Sequence, residues 1–98
     1  MICALTARTL KPGTFEQFRE AFLRNVDTDS LPAGFVRFNM IRNTENPDEV
    51  VCFGFFAGVE DVRRVAAESG YDRQMEAIAP FVESVGTDGL FEVVEGEA

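Results

Sequence analysis

Residues 49–57, "EVVCFGFFA", place the tightest limit on what this chain can fold into. The run is rich in β-branched and aromatic side chains and follows the polar, turn-forming stretch "NTENPD", so it reads as a strand. Side chains of a strand point alternately to the two faces of a sheet, and a strand with one wet face is apolar at every second position. This one is apolar at both parities, with Val50, Cys52 and Phe56 on one and Val51, Phe53 and Phe55 on the other. The sheet that holds it must therefore be covered on both faces. Gly54, inside the run, predicts a bulge or a neighbour packed close to the backbone.

The rest of the chain supplies partners for this strand. Residues 2–10, "ICALTARTL", are broken only by Thr6, Arg8 and Thr9, as in a strand buried on most of both faces, and "KPG" ends them. Thr14 and Gln17 stand at the spacing of a capping box, and Phe15, Phe18, Phe22 and Val26 recur at helical intervals. A helix is predicted over 14–26, with Glu16, Gln17, Glu20 and Arg24 turned to solvent. The connector "DTDSLPAG" leads to a second strand, "FVRFNMIR", over 35–42, and the short polar link pairs it with 49–57 as an antiparallel hairpin.

From Val59 a helical region runs through Val62, Val65 and Ala66 and pauses at "SGYD". It resumes, capped by Asp72, through Met75, Ile78, Ala79 and Val82, with Pro80 weakening its end. "GLFEVVEG", over about 89–95, makes the last strand, and the acidic tail "EGEA" frays. Strand, helix, strand, strand, helix, strand is the α+β, ferredoxin-like βαββαβ order, with an antiparallel sheet whose first and third strands are central. The expectation is one domain over residues 1–98. Helices cover one face only. The simplest cover for the other is a second copy of the same sheet, which predicts a homodimer closed as a dimeric α/β barrel.

Composition narrows the function. Nine basic against seventeen acidic residues give a net charge of −8, which repels nucleic acid and anionic lipid alike. No apolar run approaches the ~20 residues that span a bilayer, and the N-terminus has neither a basic start nor a small-residue cleavage site, so a cytoplasmic protein without membrane partners is expected. Cys3 and Cys52 lie in apolar strands outside any CxxC pair and read as free thiols. The chain contains no histidine, which removes Ser-His-Asp and Cys-His catalysis and the commonest ligand of zinc and haem.

Three stretches, "LKPGTFEQF", "PAGFVRFNMIRNTENPDEVVCFGFF" and "AIAPFVES", resemble the antibiotic biosynthesis monooxygenase-like domains of the dimeric α/β barrel superfamily, and the resemblance covers nearly the whole chain. It implies a homodimer with a hydrophobic cavity in each subunit, between helices and sheet. It further implies oxidation of a quinol or other hydroxylated aromatic by molecular oxygen, with no metal, flavin or other cofactor, through an activated phenolate or enolate. The chain departs from many relatives in carrying Phe56 where they have Trp, Gly54 where they have an acid, and no histidine in "VRRVAAESGYDRQM". Those departures keep open an alternative, a non-catalytic dimer that binds a small ligand or merely assembles.

Candidate site residues are the polar groups that interrupt apolar runs. Arg37 and Asn39 share one face of the second strand, and Thr6 and Arg8 share one face of the first. For a cavity between helices and sheet, Asn39 and Tyr71 are the expected groups to orient a substrate hydroxyl, and Arg37 to favour its anion. The other reading of Arg37 and Arg8 is that they pair with acids across a dimer interface, and of Tyr71 that it rests on the surface. Phe18, Phe22 and Phe56 are the candidate contacts to a flat aromatic substrate, with plain core packing as the competing reading.

Overall fold

The computed structural model describes residues 1–24 and 26–97. Its elements are β1 (Ile2–Leu10), α1 (Phe15–Leu23), β2 (Phe35–Arg42), β3 (Glu49–Phe56), α2 (Val59–Glu68), α3 (Tyr71–Ile78) and β4 (Val82–Glu92), with a 3-10 turn over Ala79–Phe81 before the last strand. All strands pair antiparallel in the order β2-β3-β1-β4, so the ferredoxin-like α+β order read from the sequence is the one the chain adopts. The two most apolar strands are the two central ones.

Three boundaries differ from expectation. The last strand begins at Val82, not near 89, because Pro80 in the 3-10 turn ends the helical path and the chain turns directly into the sheet. Its early residues, Glu83, Ser84, Thr87 and Asp88, are exposed on an edge strand, which is why they carry no apolar signal. α1 stops at Leu23, and Thr14 makes no cap to its backbone. Instead the Thr14 hydroxyl donates to the Lys11 carbonyl at 2.8 Å and closes the "KPG" turn, where Gly13 adopts φ 76. Gly70, at φ 73, rather than Asp72, precedes α3. The parts of the helix and tail expectations that fall on residues 25 and 98 lie outside the described residues.

The helices cover the sheet face that carries Leu10, Val50 and Cys52, and Phe18, Phe22 and Ile78 complete the buried cluster. Phe18 and Phe22 sit one helical turn apart, and burial of such side chains contributes about 1.5–3 kcal/mol each. On the opposite face the register sets Cys3 beside both Phe55 and Phe91, Leu5 beside Phe53, and Ile41 beside Val51. No element of the chain covers this face among the described residues: Phe91 is 46% exposed and Ile41 51%.

Gly54 is a site of close approach. A Cβ there would stand 2.8 Å from the Phe35 ring, which stacks on Phe56 with centroids 4.3 Å apart. Phe35 reaches that position because the β2–β3 register slips by one residue between Phe35 and Arg37, leaving Val36 without a β3 partner. Gly54→Ala is expected to destabilise the fold by about 1–3 kcal/mol, the usual result of overpacking, and Phe35→Leu in the same background to recover part of it. Denaturant midpoints at fixed protein concentration measure this, and an unchanged midpoint for Gly54→Ala contradicts it.

Candidate active site

Between the three helices and the sheet lies a cavity of about 750 Å³, within the range of small-molecule sites. Its floor is open because Ala4 and Gly54, register partners on the central strands, are both small. Phe35 and Phe56 close one end, Phe22 and Phe38, stacked at 5.6 Å, stand on another side, and Val62, Val65 and Ala66 of α2 form the roof. Gln74 Nε2 donates to the Phe22 carbonyl at 2.8 Å and fastens α3 to the end of α1. A smaller recess of about 340 Å³ shares Thr6, Arg8, Tyr71, Met75 and Asp88 with the main cavity.

Arg8 is the most unusual wall residue. It is 6% exposed, on the helix-facing side of β1, two residues before the fully buried Leu10. Its guanidinium lies 5.8 Å from the Phe18 ring centroid and 5.7 Å from that of Phe22, while Nη2 donates weakly to the Met75 sulfur at 3.6 Å. Nη1 has no hydrogen-bond partner among the described residues, and no carboxylate there forms an ion pair with Arg8. Asp88, across from Thr6 on β4, instead accepts the Thr6 hydroxyl at 2.8 Å. The Cys52 thiol, also on the wall, is pushed up to about 11 by burial against the opposing pull of Arg8, so it stays protonated.

The structure separates the residues singled out from the sequence. Tyr71, Phe22 and Phe56 line the cavity, with Tyr71 at its mouth and 44% exposed. Phe18 does not line it: fully buried, it packs with the core cluster behind the wall. Arg37 and Asn39 do not reach it either, which corrects their expected orientation. They pair with Phe55 and Phe53 and share the uncovered face, where the Arg37 guanidinium lies 4.8 Å from the Phe55 ring centroid. The physical reason is parity, since Phe38 and Met40 take the helix-facing positions of β2.

One wall residue, Asp88, was not among the groups expected at the site, since it precedes the expected start of the last strand and the early part of β4 carries no apolar pattern. Arg8 was a candidate as a charge in a central strand, but its face was not assigned. Its shared parity with Leu10 was the available clue. No cluster of three or more metal-ligating side chains occurs among the described residues, and no described helix is long and apolar enough to cross a membrane.

Comparison with known proteins agrees with this fold. No curated protein matches the sequence. The fold is similar to that of SnoaB, a cofactor-independent oxygenase from Streptomyces nogalater, with a TM-score of 0.80 at 20% identity over 97% of this chain and 94% of that one. It is equally similar to a conserved protein from Methanosarcina mazei, with a TM-score of 0.80 at 9% identity over 92% and 89% of the two chains. A Nitrosomonas europaea protein bearing the family's name gives 0.76 at 15% identity, over 97% of this chain and 100% of its own. Residues 1–73 match the sequence family described as antibiotic biosynthesis monooxygenase. The chain belongs to that family.

Proposed function

We propose that this protein is a cofactor-independent monooxygenase of a quinol or hydroxylated aromatic small molecule, working as a homodimer in which residues 1–98 form one domain of the family. The observation that carries the reading is the cavity of about 750 Å³, aromatic on two sides and lined by small apolar residues at its floor, in a chain of this family. In this reading a flat ring lies between Phe22 and Phe56, and Tyr71 at the mouth hydrogen-bonds a ring hydroxyl as it ionises. The substrate itself then supplies the electrons. For an anthrone, one oxygen atom of O2 enters the ring carbon as a carbonyl, the other leaves as water, and the two hydrogens lost from that carbon complete the water.

The uncovered sheet face supports the dimer. Phe53, Phe55, Phe91 and Leu5 form an apolar surface that no element covers among the described residues, and the simplest cover is the same face of a second copy. In such a dimer Arg37 and Asn39 belong to the interface and its edge rather than to the cavity.

Oxygen-electrode measurements over a panel of quinols and anthrones, in metal-free buffer without flavin, are expected to give uptake above the buffer rate. No uptake from any member overturns the oxygenase reading. With an active substrate, Tyr71→Phe is expected to lower kcat/KM by about tenfold or more while leaving the melting temperature near that of the wild type, since the side chain is half exposed. Light scattering at micromolar concentration is expected to give about twice the 10.9 kDa of one chain, and Phe55→Asp to shift it toward a single chain. A wild-type mass of one chain rules out the dimer.

A further inference from the structure

The distribution of charge around the cavity runs against that of the whole chain. Four arginines, Arg8, Arg24, Arg63 and Arg73, line it against two aspartates, Asp27 and Asp88, so the lining is net positive by two in a chain of net charge −8. Of the four, Arg63 meets Glu60 at 3.4 Å on the surface, whereas Arg8 is more than nine-tenths buried and forms no ion pair among the described residues. An arginine stays charged at any physiological pH, and a buried charge without a counter-ion is strongly unfavourable. Two phenylalanine rings, a thioether and the neutral Cys52 thiol offset only part of that cost. The carboxylate on the neighbouring strand, Asp88, is engaged by Thr6. The facing thiol, Cys52, remains neutral.

We propose that the cavity binds a flat aromatic ligand through an oxyanion borne by the ligand, a carboxylate or an ionised ring hydroxyl, and that Arg8 is the residue that holds it. The proposal rests on the cavity being the substrate site and adds the charge of what enters it. The guanidinium has five N–H donors, and among the described residues they meet only the Met75 thioether and the Cys52 thiol, both weak sulfur acceptors, while Nη1 has no partner, so a carboxylate or ring oxyanion meets unused, directional donors. The aromatic walls formed by Phe22, Phe38, Phe35 and Phe56 suit the ring system that would carry the anion. For a ring hydroxyl, the same cation favours ionisation in place, which is the activation that a cofactor-free oxygenation requires.

The test is a binding measurement without turnover, using the full chain and two fluorescent probes of matched shape, anthracene-2-carboxylate and 2-(hydroxymethyl)anthracene. The wild type is expected to bind the carboxylate at least about tenfold more tightly than the alcohol, the ratio for one charge-assisted hydrogen bond at a buried donor. Arg8→Met is expected to abolish that preference while still binding the alcohol, and Arg19→Met, on the exposed face of α1, to retain it. Removing an unpaired buried charge should leave the melting temperature of Arg8→Met at or above that of the ligand-free wild type, which a merely structural role for Arg8 would not do. A third probe, 4-nitro-1-naphthol, separates the two sources: ionisation at lower pH in the wild type than in Arg8→Met assigns a ring hydroxyl, and a carboxylate preference without that shift assigns a carboxylate. Equal wild-type affinities for the matched probes, a preference that survives in Arg8→Met, or no binding of either probe overturns the proposal. Oxygen uptake is scored separately, so a carboxylate preference without turnover defeats the oxygenase reading alone.

Discussion

Everything in this fold follows from a sheet whose two central strands are apolar on both faces. β1 and β3 cannot meet water on either side, and α1, α2 and α3 suffice for only one. That face becomes the core, with Leu10, Phe18 and Val50 at its centre. The other becomes a surface of Leu5, Phe53, Phe55 and Phe91 that asks for a second sheet. The cavity is a further consequence of the same strands. Where Ala4 faces Gly54 the sheet has almost no side-chain height, and α2 bridges the gap instead of filling it. The aromatic pairs Phe35–Phe56 and Phe22–Phe38 hold the edges apart.

How much of this was legible in the sequence depended on whether a residue's signal was local. The double-sided burial of "VVCFGFF", the hairpin with β2 and the stripe of Phe18 and Phe22 on α1 all have a period that a single segment displays. The close approach at Gly54 was legible as well, although the Phe35 ring that causes it comes from another strand through a register slip no local pattern announces. β4 was largely hidden. An edge strand with exposed Glu83, Ser84, Thr87 and Asp88 has neither alternation nor a run, and its start is set by where Pro80 stops the helix.

The site was harder to read because face assignment is a tertiary property. Two adjacent parities in β2 differ only in which one meets α1, and the chain resolves this by placing Phe38 and Met40 inward, which sends Arg37 and Asn39 out. Tyr71 is at the cavity mouth because α3 starts there after the left-handed Gly70, a turn that "SGYD" did signal. Phe18 and Phe22 share a helical stripe, yet one backs the wall and the other lines it, a difference one helical turn apart that the stripe itself does not encode.

Arg8 and Arg37 make the point most sharply, because in sequence they are the same event: an arginine interrupting an apolar strand, with a phenylalanine ring for company. Arg37 lies over Phe55 on an exposed edge strand, where water solvates the charge and the stacking contributes modestly. Arg8 lies between Phe18 and Phe22 with 6% of its surface exposed, in a central strand of the sheet. Stability alone gives no reason to keep it there, since an apolar residue of similar volume would fill that wall at least as favourably. A charge retained at the wall of an aromatic cavity against that gradient points to a ligand whose own charge is opposite.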